Sequence, residues 1–259
     1  MSKLKVGING FGRIGRVFFR AGFEKLDIVG INSLDSVEGI AHLLKYDSTH
    51  GQFNADVSHD EKNIIVNGKK IPVSQVKDPA QIPWKTWGAD LVMECTGALK
   101  GKEDYQKHIA AGAKKVLISA PADGVDLTVV YGLNHTAYDP AKHMFLSNAS
   151  CTTNCLAPLA KVLNDLYHNP SDNSTLQELA ERINMTERTL ARYSQKELGM
   201  SLHEWRQRLK VMKAMTMLNQ GKTIESIAFD LGYASASAFI YMFKRWMGFT
   251  PDQFRKLYQ

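Results

Sequence analysis

The stretch Lys5-Val-Gly-Ile-Asn-Gly-Phe-Gly-Arg-Ile-Gly-Arg16 decides the fold of the first part of this chain. It places the pattern G-x-G-x-x-G, formed by Gly10, Gly12 and Gly15, directly after a strand-like run and at the start of a helix-like one. The first glycine permits a tight turn, the second lets the backbone approach a pyrophosphate, and the third lets the helix pack on the strand. Free N–H groups at a helix N-terminus attract phosphate. The pattern therefore predicts a dinucleotide site rather than a plain structural turn.

Strand-like and helix-like runs alternate around this stretch as far as residue 165. Short, partly β-branched runs predict strands at 4–9, 28–32, 91–95, 115–119 and 144–147. Amphipathic runs predict helices at 14–23, 37–44 and 103–110. Runs at 56–66 and 70–73, joined across Asn67-Gly68, predict an antiparallel hairpin. The alternation predicts βαβ units with a mostly parallel sheet, an α/β Rossmann-type nucleotide-binding domain over residues 1–165.

The end of the predicted second strand bears on the choice of cofactor. It reads Ile31-Asn32-Ser33, and no carboxylate follows until Asp35. A site that prefers NAD usually has an acidic residue here, which binds the ribose 2′-hydroxyl. Ser33 supplies neither that pair of hydrogen bonds nor the repulsion that excludes a 2′-phosphate. We therefore expect NAD or NADP as cofactor, with NADP accepted, and place Asn32 and Ser33 in the site.

Five motifs follow one another in order through this part of the chain. They are NGFGRIGR at 9–16, HLLKYDSTHG at 42–51, ECTG at 94–97, AGAKKVLISAP at 111–121 and SNASCTTNC at 147–155. Together they resemble the N-terminal, NAD(P)-binding half of glyceraldehyde-3-phosphate dehydrogenase, over about residues 1–165. The resemblance implies a pyrophosphate held by the glycine loop and the residues after it, a basic residue near the adenine, and a lining for the nicotinamide half. The residues so implied are, respectively, Gly10, Arg13 and Ile14; Lys77; and Thr96, Gly97 and Ser119.

The last motif contains a candidate nucleophile, Cys151. By resemblance its thiol attacks an aldehyde, while Ser150 and Thr152 help to bind a substrate phosphoryl group. The run that follows is helical in pattern, so Cys151 stands at a helix start, where the helix N-terminus lowers a thiol pKa. The other two cysteines, Cys95 in a strand and Cys155 one turn into the helix, are interpreted as inert small hydrophobes.

The resembled enzyme is incomplete in this chain. Its second half supplies a histidine that activates the thiol and the rest of the phosphate pocket, and neither follows Asp165. A thiolate without its base and without a site that orients the aldehyde loses the two largest contributions to the rate. We therefore expect no phosphorylating dehydrogenase activity, although Cys151 remains the residue that would carry it.

Composition and charge separate the two parts of the chain. Of 259 residues, 44% are apolar and 22% charged, which excludes wholesale disorder. The net charge of +6 divides into 19 Lys+Arg against 17 Asp+Glu through Asp165, and 13 against 9 afterwards. Three cysteines exclude a disulfide framework and fit a reducing cytoplasm. No apolar run has the length of a membrane span, so a cytoplasmic protein without a membrane partner is expected.

Strand signals disappear after residue 165, and an all-α domain is predicted over residues 170–259. Apolar spacing predicts helices at 175–183, 187–198, 202–219, 224–231 and 236–247. The short turns Asn184-Met-Thr186 and Gly232-Tyr-Ala234 make two helix-turn-helix units, joined by the long helix between them. In such a unit the second helix enters the major groove of DNA.

Motifs in this domain resemble the DNA-binding domain of AraC-type transcription regulators. They include TLAR at 189–192, WRQRL at 205–209, IESIAFDLGY at 224–233 and FKRWMGFTP at 243–251. The resemblance implies that base-reading side chains come from the second helix of each unit: Arg188, Ala191 and Arg192, then Ala236, Ser237, Ala238 and Tyr241. Candidate phosphate contacts are Arg206, Arg208, Lys244 and Arg245. Ser194 departs from the family, which has a large apolar core residue there; unless the neighbouring Tyr193 fills the space, a cavity costing about 2–4 kcal/mol is expected.

These observations predict a sequence-specific DNA-binding transcription regulator that carries a dehydrogenase-derived NAD(P)-binding domain. Its expected partners are double-stranded DNA and a nicotinamide dinucleotide, no metal site is predicted, and the oligomeric state stays open. An incomplete glyceraldehyde-3-phosphate dehydrogenase-type oxidoreductase is the alternative. The near absence of a linker between the two resemblances favours a fusion, natural or artificial, as the origin of the chain.

Overall fold

The glycine stretch lies at the middle of a nine-stranded sheet in the computed structural model, which describes residues 2–258. In chain order the strands are β1 (Lys5–Asn9), β2 (Asp27–Asn32), β3 (Tyr46–Asp47), β4 (Gly51–Gln52), β5 (Val57–His59), β6 (Asn63–Val66), β7 (Lys69–Ser74), β8 (Leu91–Glu94), β9 (Lys115–Ile118), β10 (Leu127–Thr128) and β11 (Phe145–Ser147). Strands β3 and β4 form a separate two-stranded ladder.

The order of strands in the large sheet is β10-β11-β9-β8-β1-β2-β7-β6-β5. All pairs from β10 to β7 are parallel, whereas β7–β6 and β6–β5 are antiparallel. Strand β1 pairs with β2 on one side and with β8 on the other, so the strand order changes direction at β1. Ligands of open α/β sheets bind at such a switch point, outside the carboxyl ends of the strands.

The helices of this part are α1 (Arg13–Gly22), α2 (Val37–Lys45), the single turn α3 (Trp84–Trp87) and α4 (Lys102–Ala110). Two short 3₁₀ helices span Pro79–Gln81 and His135–Ala137. Apolar side chains of β1, β2, α1 and α2, among them Val6, Ile8 and Phe19, form the main core of the unit. The predicted α/β Rossmann-type class is confirmed.

The predicted hairpin has one strand more than its sequence pattern indicated. Asn67 and Gly68 both take positive φ, of 50° and 79°, which suits the two-residue turn between β6 and β7. The run 56–66, however, is interrupted at Asp60, whose carboxylate accepts hydrogen bonds from the backbone nitrogens of Lys62 and Asn63. This local turn divides the predicted single strand into β5 and β6.

The remaining helices are α5 (Cys151–His168), α6 (Leu176–Arg182), α7 (Glu187–Leu198), α8 (Leu202–Asn219), α9 (Ile224–Asp230), α10 (Ala236–Met247) and α11 (Pro251–Tyr258). The bounds of α7, α8 and α10 agree with the sequence prediction, and the all-α class of this part is confirmed. Helix α11 was missed. Its signal is a capping box, in which Thr250 and Gln253 exchange hydrogen bonds between side chain and backbone around Pro251.

Backbone contacts divide the described residues into two compact units. One contains the chain up to Val130 together with Asn134–Cys151, and the other contains Tyr131–Leu133 and the described residues from Thr152 onward. Helix α5 belongs to the second unit for nearly its whole length, because its buried Leu159, Val162 and Leu166 share a core with residues of α6 and α7. The sequence-based domain limits, 1–165 and 170–259, state which part of the chain resembles which family, and they remain a prediction.

No helix within residues 2–258 is both long enough and apolar enough to cross a bilayer.

Candidate nucleotide site and candidate DNA interface

The three glycines of the first motif have different surroundings. Gly10 has a φ of +89°, and a Cβ on it would lie 2.7 Å from the backbone nitrogen of Thr96. A Cβ on Gly15 would lie 2.2 Å from the carbonyl oxygen of Gly10. Gly12, in contrast, has no protein atom within 4 Å of the Cβ position. The outer two glycines are therefore required by the fold itself, and the space in front of Gly12 is open to a ligand.

The N-terminus of α1 is exposed and carries no protein cap. Gly12 is the N-cap residue, no side chain accepts a hydrogen bond from the first turn, and that turn holds no acidic residue. Arg13 and Ile14, the next two predicted contacts, are exposed, Ile14 by 51%. Unpaired N–H groups and the positive end of the helix dipole give this position affinity for phosphate oxygens.

A buried hydrogen-bond network ties the carboxyl ends of β1, β2 and β8 together. The sheet register sets Asn9 beside Asn32 on one side and beside Glu94 on the other. The Asn32 amide donates to Oδ1 of Asn9 at 2.8 Å, and the Asn9 amide donates to Oε2 of Glu94 at 2.6 Å. Oε2 of Glu94 also lies 3.1 Å from Nε2 of His108, and Oε1 accepts from the backbone nitrogen of Thr96 at 2.7 Å. This network fixes the loop that follows β8.

The residues predicted for the nicotinamide half lie around the end of β8. Gly97 and Ser119 line one cavity of about 270 Å³, together with Glu94 and Tyr105. The hydroxyl and the backbone nitrogen of Thr96 both donate to Oε1 of Glu94, so this side chain is engaged by the protein. The structure thus brings Gly97 and Ser119 together.

Asn32 and Ser33, the residues predicted to contact the cofactor at the end of β2, are both buried. The side-chain amide of Asn32 donates to Asn9 and Val76, and its oxygen accepts from Ser74 and Val76. Asn32 therefore has its hydrogen-bonding capacity filled by the protein.

Ser33 and its neighbours complete this end of the site. Ser33 is 5% exposed, and its hydroxyl lies 3.4 Å from Oδ2 of Asp35. Asp35 lies two residues beyond Ser33 in the sequence, and the structure sets its carboxylate beside the Ser33 hydroxyl. The predicted adenine-side residue, Lys77, is exposed.

The candidate nucleophile lies where the sequence predicted it. Cys151 is the first residue of α5 and is exposed, with Ser150 before it and Thr152 after it. Cys155 is half-buried. Burial raises the pKa of the Cys95 thiol to about 12, outweighing a hydrogen bond with Ser119 that acts in the opposite direction. Cys95 is therefore a neutral thiol at physiological pH.

The first helix-turn-helix unit consists of α6 and α7. Helix α6 begins at a capping box between Thr175 and Glu178, and Thr186 caps α7 by accepting from the backbone nitrogen of Thr189. The predicted base-reading residues of α7, Arg188, Ala191 and Arg192, are all exposed on one side of the helix. Leu190 faces the other way and is fully buried.

The second unit repeats this arrangement with α9 and α10. Ser235 caps α10 by accepting from the backbone nitrogen of Ala238, while Phe239 and Phe243 are fully buried. Tyr241 is 70% exposed. The other predicted contacts are all exposed except half-buried Ala236: they are Ser237, Ala238, Lys244 and Arg245.

Helix α8 joins the two helix-turn-helix units, and a different face of the helix is buried at each end. Leu202 and Leu209 belong to the core that contains α5, α6 and α7. Val211, Ala214 and Leu218 belong to the core that contains α9, α10 and α11. Eighteen residues make a helix of about 27 Å. The two candidate reading helices are therefore attached to opposite ends of one rigid element.

Three sequence predictions for this domain need correction. Arg206 is not on a free solvated face, because its guanidinium is half-buried and donates to the carbonyl oxygen of Ser174 at 2.8 Å. Arg208 is exposed but paired with Glu204 at 2.7 Å. Ser194 is fully buried, yet its hydroxyl donates to the carbonyl oxygen of Met200 at 2.9 Å. The expected cavity penalty at Ser194 is thus offset by a hydrogen bond that closes the end of α7.

Comparison with known families assigns both parts of the chain. Residues 4–102 match the family described as glyceraldehyde 3-phosphate dehydrogenase, NAD binding domain. Residues 179–257 match the family described as helix-turn-helix domain. Both resemblances drawn from the sequence are confirmed: the chain carries a dehydrogenase-type NAD-binding domain followed by a helix-turn-helix domain of AraC type.

Glyceraldehyde-3-phosphate dehydrogenases of several bacteria are similar to the first part of the chain. Glyceraldehyde-3-phosphate dehydrogenase 1 of Bacillus cereus is 54% identical over 165 residues, which are 63% of this chain and 49% of that protein. The glyceraldehyde-3-phosphate dehydrogenases of Streptomyces coelicolor and Geobacillus stearothermophilus are 55% and 54% identical over 167 and 166 residues, 63% of this chain and 50% of each protein. The chain spans about half the length of these relatives.

Proposed function

We propose that this chain is a sequence-specific DNA-binding transcription regulator whose nucleotide-binding domain takes NAD or NADP. The observation that carries the proposal is the pair of capped helices, α7 and α10, held at the two ends of α8 with exposed polar faces. Both helices pack on this one 18-residue helix, which is about 27 Å long and fixes their arrangement relative to each other.

The two reading helices differ in chemistry. Helix α7 presents the guanidinium groups of Arg188 and Arg192, which suit bidentate contacts to guanine. Helix α10 presents Ser237, Ala238 and Tyr241, which suit shape and thymine-methyl contacts, with Lys244 and Arg245 toward phosphates. Stronger base discrimination is therefore expected from the half-site under α7.

The nucleotide domain stands where a regulator has a sensing domain, and we infer that it supplies the signal. Its exposed α1 N-terminus, the open space at Gly12 and the cavity at Gly97 and Ser119 support binding of a dinucleotide. Ser33 supports acceptance of NADP, while the Asp35 carboxylate 3.4 Å away favours NAD. Replacing Asp35 with Asn should raise the affinity for NADP relative to NAD, as measured by thermal shift with each nucleotide.

DNA binding with and without nucleotide tests the regulator and the sensor together. Operator-like DNA, selected from a random pool, should bind with an affinity that falls steeply with salt and keeps a sequence preference. Arg188→Ala and Arg192→Ala should each weaken specific binding by about 1–3 kcal/mol, roughly 5- to 150-fold. Lys161→Ala, which removes an exposed cation on α5 that pairs with Asp165, is the matched control and should change little.

Two results would contradict the proposal. The regulator fails if no selected DNA is bound below micromolar concentration. The proposal that the nucleotide domain supplies the signal fails if NADH and NADPH leave the affinity for DNA unchanged. A nucleotide that is coupled to DNA binding must change the DNA affinity by the same factor by which DNA changes the nucleotide affinity. The first result concerns the helix-turn-helix domain and the second concerns the link between the two units.

An incomplete oxidoreductase is the second candidate, favoured by the exposure of Cys151 at the start of α5. Ser150 and Thr152 flank it, as a phosphoryl-binding site would require. Reduction of NAD or NADP by glyceraldehyde 3-phosphate in the presence of inorganic phosphate tests this candidate. We expect no turnover, and turnover that is lost in Cys151→Ser would make the enzyme the better description.

A further inference from the structure

A cavity of about 390 Å³ in the second unit has a cationic wall that no activity described above uses. Its lining includes Arg206, Gln207 and Lys210 on one side of α8 and Asn173 and Ser174 in the turn before α6. Leu176, Leu179 and Leu202 form an apolar part of the lining. Positions 203, 206, 207 and 210 follow the spacing of one helix face, which an ordinary packed helix fills with apolar side chains.

Lys210 is a buried cation that forms no ion pair with an acidic side chain within residues 2–258. The residue is 2% exposed, and its Nζ donates to Oδ1 of Asn173 at 2.9 Å. The ring of Tyr233 lies 4.8 Å from the same Nζ. An amide oxygen and an aromatic face stabilise an ammonium group, but they do not neutralise its charge, and lysine is almost never fully buried unless paired. Its pKa is accordingly lowered to about 8, first by burial and then by the charge of Arg206.

Arg206 provides a second, incompletely paired cation one turn away. Its Nη2 donates to the carbonyl oxygen of Ser174 at 2.8 Å, while its Nε is buried and has no hydrogen-bond partner. Asp172 acts on both cations through its charge, but its hydrogen bonds go elsewhere: its carboxylate accepts from Arg182 at 2.6 Å and from Ser174. Buried polar groups are normally satisfied, so two under-satisfied cations in one cavity indicate a missing acceptor.

We propose that Arg206 and Lys210 form a binding site for a phosphoryl group. Its oxygens would accept from Nζ of Lys210 and Nε of Arg206, and an apolar part of the molecule that carries it would lie against the leucines. The position of Asn173 is preset, because its amide nitrogen donates to the carbonyl oxygen of Gly232 and leaves Oδ1 toward Lys210. The cavity volume falls within the range of small-molecule sites.

Phosphate groups could reach this site from two sources, a free metabolite or the DNA backbone, and the test separates them. The first arm titrates the full chain with inorganic phosphate at constant ionic strength, in the absence of DNA. We expect the unfolding temperature to rise by a few degrees in the wild-type protein and in Lys213→Met, but not in Lys210→Met. Lys213 is the matched control, since it is a cation on the same helix whose Nζ lies over the ring of Tyr167.

The pKa of Lys210 gives a readout that needs no variant. In wild-type protein labelled at lysine side chains, saturating phosphate should raise the pKa of Lys210 by about 1–3, as an adjacent opposite charge does. This measurement keeps the proposal testable if Lys210→Met fails to fold.

The second arm measures the salt dependence of DNA binding. If the DNA backbone is the source, Lys210→Met should lower the slope of log affinity against log salt by about 1, and free phosphate should have no effect. The proposal is overturned if phosphate acts equally on wild type, Lys210→Met and Lys213→Met, or if neither arm responds to Lys210. The phosphate arm contains no DNA, so failure of the regulator proposal would leave it unaffected.

Discussion

Nε1 of Trp84 donates a hydrogen bond to Nδ1 of His108 across 2.9 Å, inside the core of the first unit. An indole nitrogen can only donate, so Nδ1 must accept and the single proton of the neutral ring must be on Nε2. That nitrogen lies 3.1 Å from Oε2 of Glu94 and therefore donates a hydrogen bond to it. Trp84 thus selects the tautomer that His108 presents to Glu94, and the network extends from there to Asn9 and the loop bordering the nucleotide cavity.

Replacing Trp84 with Phe should test this chain of hydrogen bonds. The variant leaves Nδ1 of fully buried His108 without a donor, and an unsatisfied buried acceptor lowers the free energy of unfolding by about 1–3 kcal/mol. Trp87→Phe makes the same chemical change on half-buried Trp87 and serves as the control. Urea unfolding measures both, and equal losses in the two variants would refute a special role for the bond.

The open space at Gly12 makes a sharp prediction for nucleotide binding. Gly12→Ala should leave the unfolding temperature of the free protein unchanged, because no protein atom lies within 4 Å of the new Cβ. The methyl group should nevertheless keep a pyrophosphate from the backbone and weaken NAD or NADP binding by about tenfold or more. Gly101→Ala is a matched control, since Gly101 is the N-cap of α4 and also faces open space. Calorimetric titration would contradict the prediction if both variants bind equally well.

The packing of α5 predicts that a residue of the dehydrogenase-like stretch stabilises the helix-turn-helix domain. Leu159 is fully buried within the core shared with Leu179 and Leu190, so Leu159→Ala should lower the free energy of unfolding by about 2–5 kcal/mol. Leu156, on the same helix, is 52% exposed, and Leu156→Ala should change stability by no more than about 0.5 kcal/mol. Denaturant unfolding followed by the fluorescence of Trp205, which packs on this core, reports the difference. Similar effects of the two substitutions would show that α5 is not part of this core.

Thiol labelling should distinguish the three cysteines. Exposed Cys151 should react first with iodoacetamide, half-buried Cys155 more slowly, and Cys95, which is also half-buried, last, because burial raises the Cys95 pKa to about 12. Peptide mapping by mass spectrometry identifies the labelled positions over time. Cys151→Ser should abolish the fast phase and Cys95→Ser should leave it intact, whereas early labelling of Cys95 would be inconsistent with its burial.

The lowered pKa of Lys210 predicts a stability that rises with pH. The group titrates at about 8 in the folded protein and at 10.5 in its ordinary environment, so between these values the unfolded chain binds more protons. Stability therefore increases from about pH 8 to about pH 10.5, and the burial penalty is fully present below that window. Urea unfolding of wild type and Lys210→Met across this range isolates the effect. The contributions of other titrating groups cancel when the free energies of unfolding of the two proteins are subtracted at each pH. Parallel curves for the two proteins would contradict it.

Local sequence signals predicted most of the elements correctly. The bounds of α7, α8 and α10 follow from N-caps and terminal glycines, and these act within a few residues. The same kind of signal at Thr250 and Gln253 was present for α11 and was overlooked. Strand ends differed by a single residue because strand signals lack comparable caps.

Side-chain partners that are distant in sequence could not be predicted. The burial of Arg206 depends on Ser174, 32 residues away, and that of Lys210 depends on Asn173, 37 residues away. Spacing along one helix showed only that these cations share a face, and a cationic face is usually solvated. Asp35 differs from these cases, because it lies only two residues beyond Ser33, and the local turn after β2 sets its carboxylate 3.4 Å from the Ser33 hydroxyl.

Helix α8 has a consequence for the kind of DNA site this chain can read. Because Leu209 and Val211 serve different cores from positions about 200° apart around the helix, an insertion or deletion of one residue there would rotate one core away from its partner helices. The phase between α7 and α10 is thus locked by packing on both sides. Under the proposed function, an operator would need its two half-sites at one fixed separation and on one face of the duplex.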